Sequence, residues 1–540
     1  MKNFTKLLSL LMVGLFFLNS CRNPAYEVNV LFDAQVITYK AGLQLTDANG
    51  GTLPSNIDVS VTGTDAGSIY DFSGTKKIYA PNGIITLGVH PKEIPTASKT
   101  LSFNVIIKIP GYEEKNIPMT IAVGQFNQDI KDITMVKTVV PTPYTSVVVK
   151  QIPLNANGTT TAPASFSTPS TGAVAQTTSI NVPAGTGFKD AAGNTLTGSD
   201  VTAQAINFDA GDPELVSLFP GGDLSAPNVT FKDGTTGEAF FSPAGFTDIT
   251  MFVGGVEVRN FTTPIEVAIQ VDPNFKLNGS ATPIKAGDVL AVYSYQVSTG
   301  QFKYESDVAV IVRDGKLTVP FMTNHLTKFI VGEVFSKKGC VSPTFKFAAP
   351  YLGANSTVIS IEVYKESGTK LVDEKEFEIK DGQSVQIQDL PPFAVTYVIK
   401  RTGKVIAAGS ITDPCAGAIA TLTIPAPDVA VDLITLLLNV KCPQGQITVP
   451  GFDLYYKVAG APEGDYKLLG TVVNGSIKTT LLTVGKNYDF RAFWNNTVKT
   501  VGNRPISASD MSITVGENDF LGTKSPNYNK SLLIEACKGI

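Results

Sequence analysis

Histidine is nearly missing from this chain: 540 residues hold His90 and His325 and no others. Tryptophan occurs once, as Trp494, and cysteine five times. A hydrolase built on a histidine base therefore has two places to be. A zinc site needs His and Cys ligands at close spacing, and these residues make no such cluster in sequence. No metal ligand set and no cofactor motif is read from the chain. Charge is sparse as well, at 17% of residues with a formal net charge of -4. No basic block occurs, so nucleic-acid binding has no electrostatic footprint. Beyond the N-terminus no long apolar run occurs, and long amphipathic periodicity is hard to find. These shortages argue against an enzyme of steady turnover.

Glycine (48) and proline (33) are plentiful, and Thr, Ser, Val and Ile recur in short runs. That composition predicts many short strands joined by turns, an all-β fold, and the length calls for several domains. The first residues form a separate signal. Lys2 and Lys6 precede the apolar stretch Leu7–Leu18, which ends in Asn19-Ser20-Cys21. The stretch is too short to cross a bilayer, and a small residue precedes the cysteine, as in a cleaved export signal. It resembles a bacterial lipoprotein signal peptide over residues 1–20. The resemblance implies acylation of Cys21 and a mature chain tethered to a membrane by its acyl groups. An incidental cysteine in an ordinary export signal is the alternative. Residues 22–27 carry no acidic cluster of the kind that marks surface-exported lipoproteins of the Bacteroidetes type. The expectation is therefore the periplasmic face of the outer membrane.

Five segments follow. Residues 22–138 open with Val28-Asn29-Val30 and Gln35-Val36-Ile37, and later Phe103–Lys108 precedes a Pro110-Gly111-Tyr112 turn. This pattern resembles a small pre-albumin-like or carboxypeptidase-regulatory sandwich. His90 falls at a predicted strand end and reads as structural or solvated. Residues 139–178, rich in Pro, Thr, Ser and Ala, read as a linker or long loop with one strand at Ser146–Val149. Residues 179–335 run through Asp190-Ala191-Ala192-Gly193-Asn194, Ser242–Phe246, Val292–Tyr295 and Asp314-Gly315 to His325–Phe329. Their order resembles the β-sandwich of netrin receptors, ankyrins and bacterial relatives. Asp314-Gly315 supplies a two-residue hairpin turn that needs positive φ. Residues 340–425 and 430–540 read as two related Ig-like or pre-albumin-like sandwiches. In the first, Phe377 and Ile379, then Asp381-Gly382, then Val385 and Ile387 predict a hairpin. Asn474-Gly475 is its counterpart in the second, and together they suggest an internal duplication.

Cys340, Cys415, Cys442 and Cys537 are even in number, in a chain expected to be exported, so disulfides are expected. Of three pairings, Cys340–Cys415 with Cys442–Cys537 is favoured, because each bridge would bracket one segment. Cys415–Cys442 would instead staple the two segments, and four buried thiols are the bland alternative.

One stretch offers chemistry. Asn324-His325-Leu326-Thr327-Lys328-Phe329 is similar to the self-cleavage motif of the autoproteolysis-inducing domains of adhesion receptors. The resemblance implies His325 as base, Thr327 as nucleophile and the Leu326 carbonyl as the point of attack, one cut with no turnover. Against it, the cysteines that clamp that motif are missing here, and His325 also reads as a strand-end cap with Leu326 and Phe329 in the core. Asp209, Asp212 and Glu214 read first as a solvated acidic loop and only second as Ca²⁺ ligands. Trp494 is a candidate sugar-stacking residue. Yet it shares a face with Tyr488, Phe490 and Ala492, a stripe that reads as core.

The expectation is an elongated string of four sandwich domains on a lipid anchor. Its role would be a non-enzymatic cell-envelope binding, adhesion or scaffold protein with a protein or glycan partner. The alternatives are a self-cleaving envelope protein cut at Leu326–Thr327 and a glycan-binding lipoprotein of an uptake system.

Overall fold

The apolar residues of this chain are used in period-two strands, and nearly every strand closes against a second sheet. The computed structural model describes residues 39–515. It omits the short segments 72–74, 97–98, 122–128, 173, 213–214, 354, 366–369, 388, 428–432, 443–444, 449–451, 463–464, 473–474 and 495–496. The expected signal peptide, Cys21, the two opening strands, Glu214, Asn474 and Cys537 lie outside the described residues. So do the side chains of Cys442 and Trp494. Among the described residues the architecture is all-β, arranged as four sandwiches. No helix among them is long and apolar enough to cross a membrane.

Three of the four sandwiches share one wiring. Their first strands are Lys40–Asp47, Thr344–Ala348 and Ile434–Cys442. Each pairs in parallel with the last strand of its own sandwich: Asp129–Met135, Ile419–Thr423 and Asp510–Val515. Each pairs antiparallel with a middle strand: Ile84–Val89, Ser384–Gln386 and Ser476–Thr479. The second sheet repeats as well: Asp58–Thr62, Ser356–Lys365 and Phe452–Val458 pair with Leu101–Lys108, Val395–Arg401 and Asn487–Trp494, and these pair in turn with Lys115–Ile121, Lys404–Ile411 and Thr497–Pro505. The wiring common to the last two sandwiches is thus found in the first as well. The strand that follows Asp58–Thr62, Ser356–Lys365 or Phe452–Val458 differs: Lys370–Lys380 and Lys467–Val472 lie in the second sheet of the C-terminal pair, but in the first sandwich Ile69–Asp71 joins the first sheet beside Ile84–Val89.

The second sandwich is larger. Its eight-stranded sheet includes Asp200–Phe208, Thr236–Val253, Val289–Gln296, Gln301–Ala309 and Lys328–Ser336. The facing sheet includes Thr178–Val182, Asn260–Gln270, Ile311–Arg313 and Lys316–His325. The Asp314-Gly315 turn forms as expected: Arg313 faces Lys316, and both turn residues have positive φ (52° and 74°). The preceding strand is not continuous, however. The chain changes sheets at the buried Val310, so Ala309 and Ile311 belong to opposite layers.

Three expectations are corrected. Residues 139–178 are not a linker. Thr145–Pro153 pairs along its whole length with Asp200–Phe208, and Ala164–Ser167 pairs with Thr178–Val182, so the segment completes both sheets of the second sandwich. Threonine and serine serve there as strand residues on a half-exposed sheet face. Asp381-Gly382 does not close a hairpin either. Lys370–Lys380 pairs with Ser356–Lys365, whereas Ser384–Gln386 pairs with Thr344–Ala348 in the opposite sheet. Phe377, Ile379, Val385 and Ile387 are buried in one core, because a turn between layers demands the same alternation as a hairpin. Nor are the sandwiches a string. Residues 37–540 make one compact unit. The core of the third sandwich runs into that of the second, where Phe393 packs edge-on against Phe240 and Phe335 at 5.7 and 5.1 Å.

Candidate functional site

Several buried charged side chains bridge one sandwich to another. Lys131, on the last strand of the first sandwich, reaches Asp223 of the second at 2.6 Å. Asn116 Nδ2 donates to the Val297 carbonyl, and the Tyr295 hydroxyl donates to the Asn116 carbonyl, both at 2.8 Å. Lys365 of the third sandwich donates to Ser242 Oγ at 3.1 Å and to the Lys276 carbonyl at 3.2 Å. The fourth sandwich joins through Lys40 and Asp453, 3.5 Å apart and 413 residues apart in sequence. It also joins through the Thr471 amide, which donates to Glu378 at 3.2 Å. A buried charge is costly unless paired, so each contact is made at the price of two desolvations and survives only with its partner present.

Lys131 and Asp223 also line a half-open cavity of ≈ 300 Å³, to which all four sandwiches contribute. Lys131, Asp223, Asp373, Lys375, Glu376 and Tyr466 form its most informative wall. Asp373, Lys375, Phe377 and Ile379 alternate along one edge strand, so the polar end of an otherwise apolar stripe faces the junction. Lys375 lies 3.2 Å from Asp389 and 3.7 Å from Asp373. Burial would raise Asp389, but Lys375 first and Lys131 next hold it well below the ordinary carboxylate range. Burial would likewise strip Lys131 of its proton, but Asp223 and then Asp389 hold the ammonium well above its usual value. Asp373 goes the other way. Burial pushes it up to about 7 against Lys375, with Asp223 and Asp389 adding to the rise. Its Oδ2 accepts no hydrogen bond. Burial also pushes Glu376 up to about 7, against the charge of Lys467. The junction thus combines firmly ionised pairs with two carboxyls that change charge near neutrality.

A second buried cluster joins the first two sandwiches. Lys328 Nζ lies 2.7 Å from Asp248 and 2.9 Å from Glu113, while Lys115 lies 3.7 Å from Glu113 and donates to the Leu218 carbonyl at 3.0 Å. Burial raises Glu113 despite both lysines, and it lowers Lys115 to about 8 despite Glu113.

The residues singled out from sequence are placed as follows. Cys340 and Cys415 form a disulfide across the third sandwich, with their Cα atoms 4.3 Å apart. His325 closes its strand half-buried. Its Nδ1 is 3.3 Å from Thr323 Oγ1, and its Nε2 is 3.5 Å from Glu305. Burial lowers its pKa, and Glu305 opposes that shift. The Thr327 hydroxyl donates to the Tyr295 carbonyl, and the Leu326 amide donates to the Arg259 carbonyl at 3.1 Å. The hydrogen bonds of His325 and Thr327 therefore go to different partners. His90 accepts from the Lys92 amide at 3.2 Å and lies 5.5 Å from the Tyr70 ring. Asp209 accepts from the Gly211 amide at 2.9 Å, within a turn. Tyr488 is buried in the core of the fourth sandwich, and Phe490 and Ala492 pack against it.

Lys115, Glu113, Lys131, Asp223, Lys328 and Asp373 carried no signal in sequence. A lone charge on a strand or in a turn reads as solvated, and burial here is decided by another sandwich, 92 residues away for Lys131 and Asp223 and 215 for Glu113 and Lys328.

No protein-family model matches this chain, and no curated protein does. Among solved structures, the chain is similar to the minor pilin GBS52 of Streptococcus agalactiae. That match has 10% identity and a TM-score of 0.12, and covers 32% of this chain and 95% of that one. It is also similar to BcpA, the major pilin subunit of Bacillus cereus, at 9% identity and a TM-score of 0.13. That match covers 88% and 98% of the two chains. A third likeness, to the Bacillus anthracis TIE protein, has 9% identity and a TM-score of 0.13, over 79% of this chain and 59% of that one.

Proposed function

We propose that this protein is a non-enzymatic cell-envelope lipoprotein. Its four sandwiches form one rigid body that holds a protein or glycan partner. In this reading the acyl groups on Cys21 tether the body to the outer membrane, on the periplasmic side. The observation that carries the reading is the set of buried ion pairs between sandwiches, above all Lys131–Asp223 and Lys40–Asp453. Pairs of this kind cost more than they return unless the geometry is held, so they serve to fix orientation. A fixed orientation matters to a surface that presents binding sites. It matters less to sandwiches joined only for reach.

Two measurements on the natural host test the proposal. Metabolic labelling with an alkyne-bearing fatty acid is expected to tag the chain, and Cys21→Ala is expected to remove both the tag and the membrane association. Photo-crosslinking from exposed positions in intact cells is expected to capture discrete envelope partners. An untagged, freely soluble wild-type chain refutes the anchor. A purified chain that converts a small molecule catalytically refutes the non-enzymatic role.

A further inference from the structure

Several buried carboxylates of this chain are paired with a lysine: Glu113 with Lys328, Asp223 with Lys131, Asp389 with Lys375. Asp209 and Asp272 break that pattern. Asp209 follows the strand Asp200–Phe208 of the eight-stranded sheet, and Asp272 follows Asn260–Gln270 of the facing sheet. Asp272 is buried, at 8% exposure. Among the described residues no lysine or arginine pairs with either carboxylate, and the charges that act most on Asp209 are the like charges of Asp212 and Asp272. The two carboxylates converge over Gly211. A Cβ built there would lie 3.3 Å from Asp209 Oδ1 and 3.4 Å from Asp272 Oδ2, so the missing side chain leaves the space between them open. Oδ1 of each is oriented by a turn amide, from Gly211 and Asn274, both at 2.9 Å. A third oxygen stands beside them. Gln176, 7% exposed, precedes Thr178–Val182, and its side chain touches the Asp209 carboxylate. Its Oε1 is buried and has no hydrogen-bond partner, a standing loss for the fold unless a ligand satisfies it.

We infer that Asp209, Asp272 and Gln176 Oε1 hold a hard divalent cation, Ca²⁺, with Asp212 adding negative charge at the rim. Every donor is an oxygen, as that ion requires. Ca²⁺ takes irregular sets of roughly six to eight oxygens, which suits donors drawn from three separate connections. Water completes the shell on the side of the half-buried Asp209. Among the described residues no three acidic, histidine or cysteine side chains are grouped closely enough to hold an ion. The Gln176 oxygen is therefore a necessary member of the site.

The position of the site gives the ion its consequence. It ties the two sheets of the second sandwich at the end where Asn207 already bridges them. Asn207 Nδ2 donates to the Gln176 carbonyl at 3.0 Å, and Thr178 Oγ1 donates to Asn207 Oδ1 at 2.8 Å. The ion also fixes the turn that the third sandwich grips. The Phe275 amide donates to the Asp272 carbonyl at 3.0 Å, and Lys365 donates to the next carbonyl, that of Lys276, at 3.2 Å.

Calorimetric titration of the chelator-treated full-length chain with CaCl₂ tests this, together with thermal melts at matched ionic strength. One saturable site is expected, with a Kd on the order of 0.1–1 mM, and a melting temperature raised by Ca²⁺ but not by NaCl. Asp272→Asn, with one ligand charge removed, weakens binding by about 10-fold or more. Gln176→Glu turns a neutral donor into a charged one and tightens binding. With no cation to hold, the same change only adds another buried acid and lowers the melting temperature with or without Ca²⁺. That result overturns the proposal. So does a folded wild-type chain that shows no saturable binding, or a folded Asp272→Asn chain that binds as wild type does.

Discussion

Removing one member of the Lys131–Asp223 pair is expected to cost far more than losing a surface ion pair. Asp223 is 4% and Lys131 17% exposed as side chains, with 2.6 Å between their charged atoms. At an effective dielectric constant near 20 the direct attraction is about 6 kcal/mol, most of it offset by desolvation. Deleting one partner of a buried pair typically costs about 3–5 kcal/mol, because the other charge is left behind. Asp389 also acts on Lys131 and remains in place, which puts Asp223→Ala at the lower end, about 3 kcal/mol. The loss should appear as undocking of the first sandwich. Amide hydrogen exchange is the assay, read on the interface strands Asp129–Met135 and Lys115–Ile121 against the cores of the C-terminal sandwiches. Replacing both partners, as Lys131→Met with Asp223→Leu, is expected to restore protection to within about 1 kcal/mol of wild type. A single-variant loss below about 1 kcal/mol, the range of exposed pairs, would refute the reasoning.

Other outcomes follow from the same contacts. Asp373 and Glu376 have folded pKa values raised to about 7, so the stability they contribute is full below their unfolded values and lost as pH rises through 7. Asp389 has a depressed folded value, so its contribution is lost only in acid. Junction stability is therefore expected to rise as pH falls from about 8 to about 5 and to collapse below about 4, and Asp373→Asn should flatten the neutral limb in pH-resolved denaturant melts. Reducing Cys340–Cys415, which spans 75 residues, is expected to cost the third sandwich up to about 4.5 kcal/mol in the chain-entropy model, read as a lower denaturant midpoint. Denaturing electrophoresis is expected to show one full-length band, unchanged by Thr327→Ala, because the Thr327 hydroxyl is committed to Tyr295. A Cβ at Gly332 would lie 2.3 Å from the Ser242 carbonyl oxygen across the paired strand, so Gly332→Ala is expected to lower the melting temperature of the second sandwich more than an ordinary surface change.

Much of the architecture was legible where the signal is local. The Asp314-Gly315 turn needs positive φ, and its composition declares that need. The alternation of Phe377, Ile379, Val385 and Ile387 likewise announces strands with one buried face. What alternation leaves open is the partner strand. A hairpin and a crossing between layers bury the same residues, and Asp381-Gly382 proved to be the second kind. Within 139–178 the strand at Ser146–Val149 was legible, but Ala164–Ser167 was hidden by composition, since it is short and carries one large apolar residue, Phe166. The docking was hidden for a deeper reason. Lys115 and Lys328 sit on strands, and Glu113 in the connection before Lys115–Ile121, where an exposed charge is the ordinary expectation. Their burial depends on surfaces that come together only after each sandwich has folded. The candidate site is made of such residues and was correspondingly illegible, whereas the cysteine pair Cys340–Cys415 followed from bracketing one segment.

The central claim is that the sandwiches hold one mutual orientation. Electron–electron distance spectroscopy tests it most directly, with spin labels carried on unnatural side chains at two exposed positions, Lys92 of the first sandwich and Lys478 of the fourth. A single narrow distance distribution, broadened by Asp453→Ala, is the predicted result. A broad distribution in the wild-type chain, of the kind given by sandwiches moving independently, would contradict it.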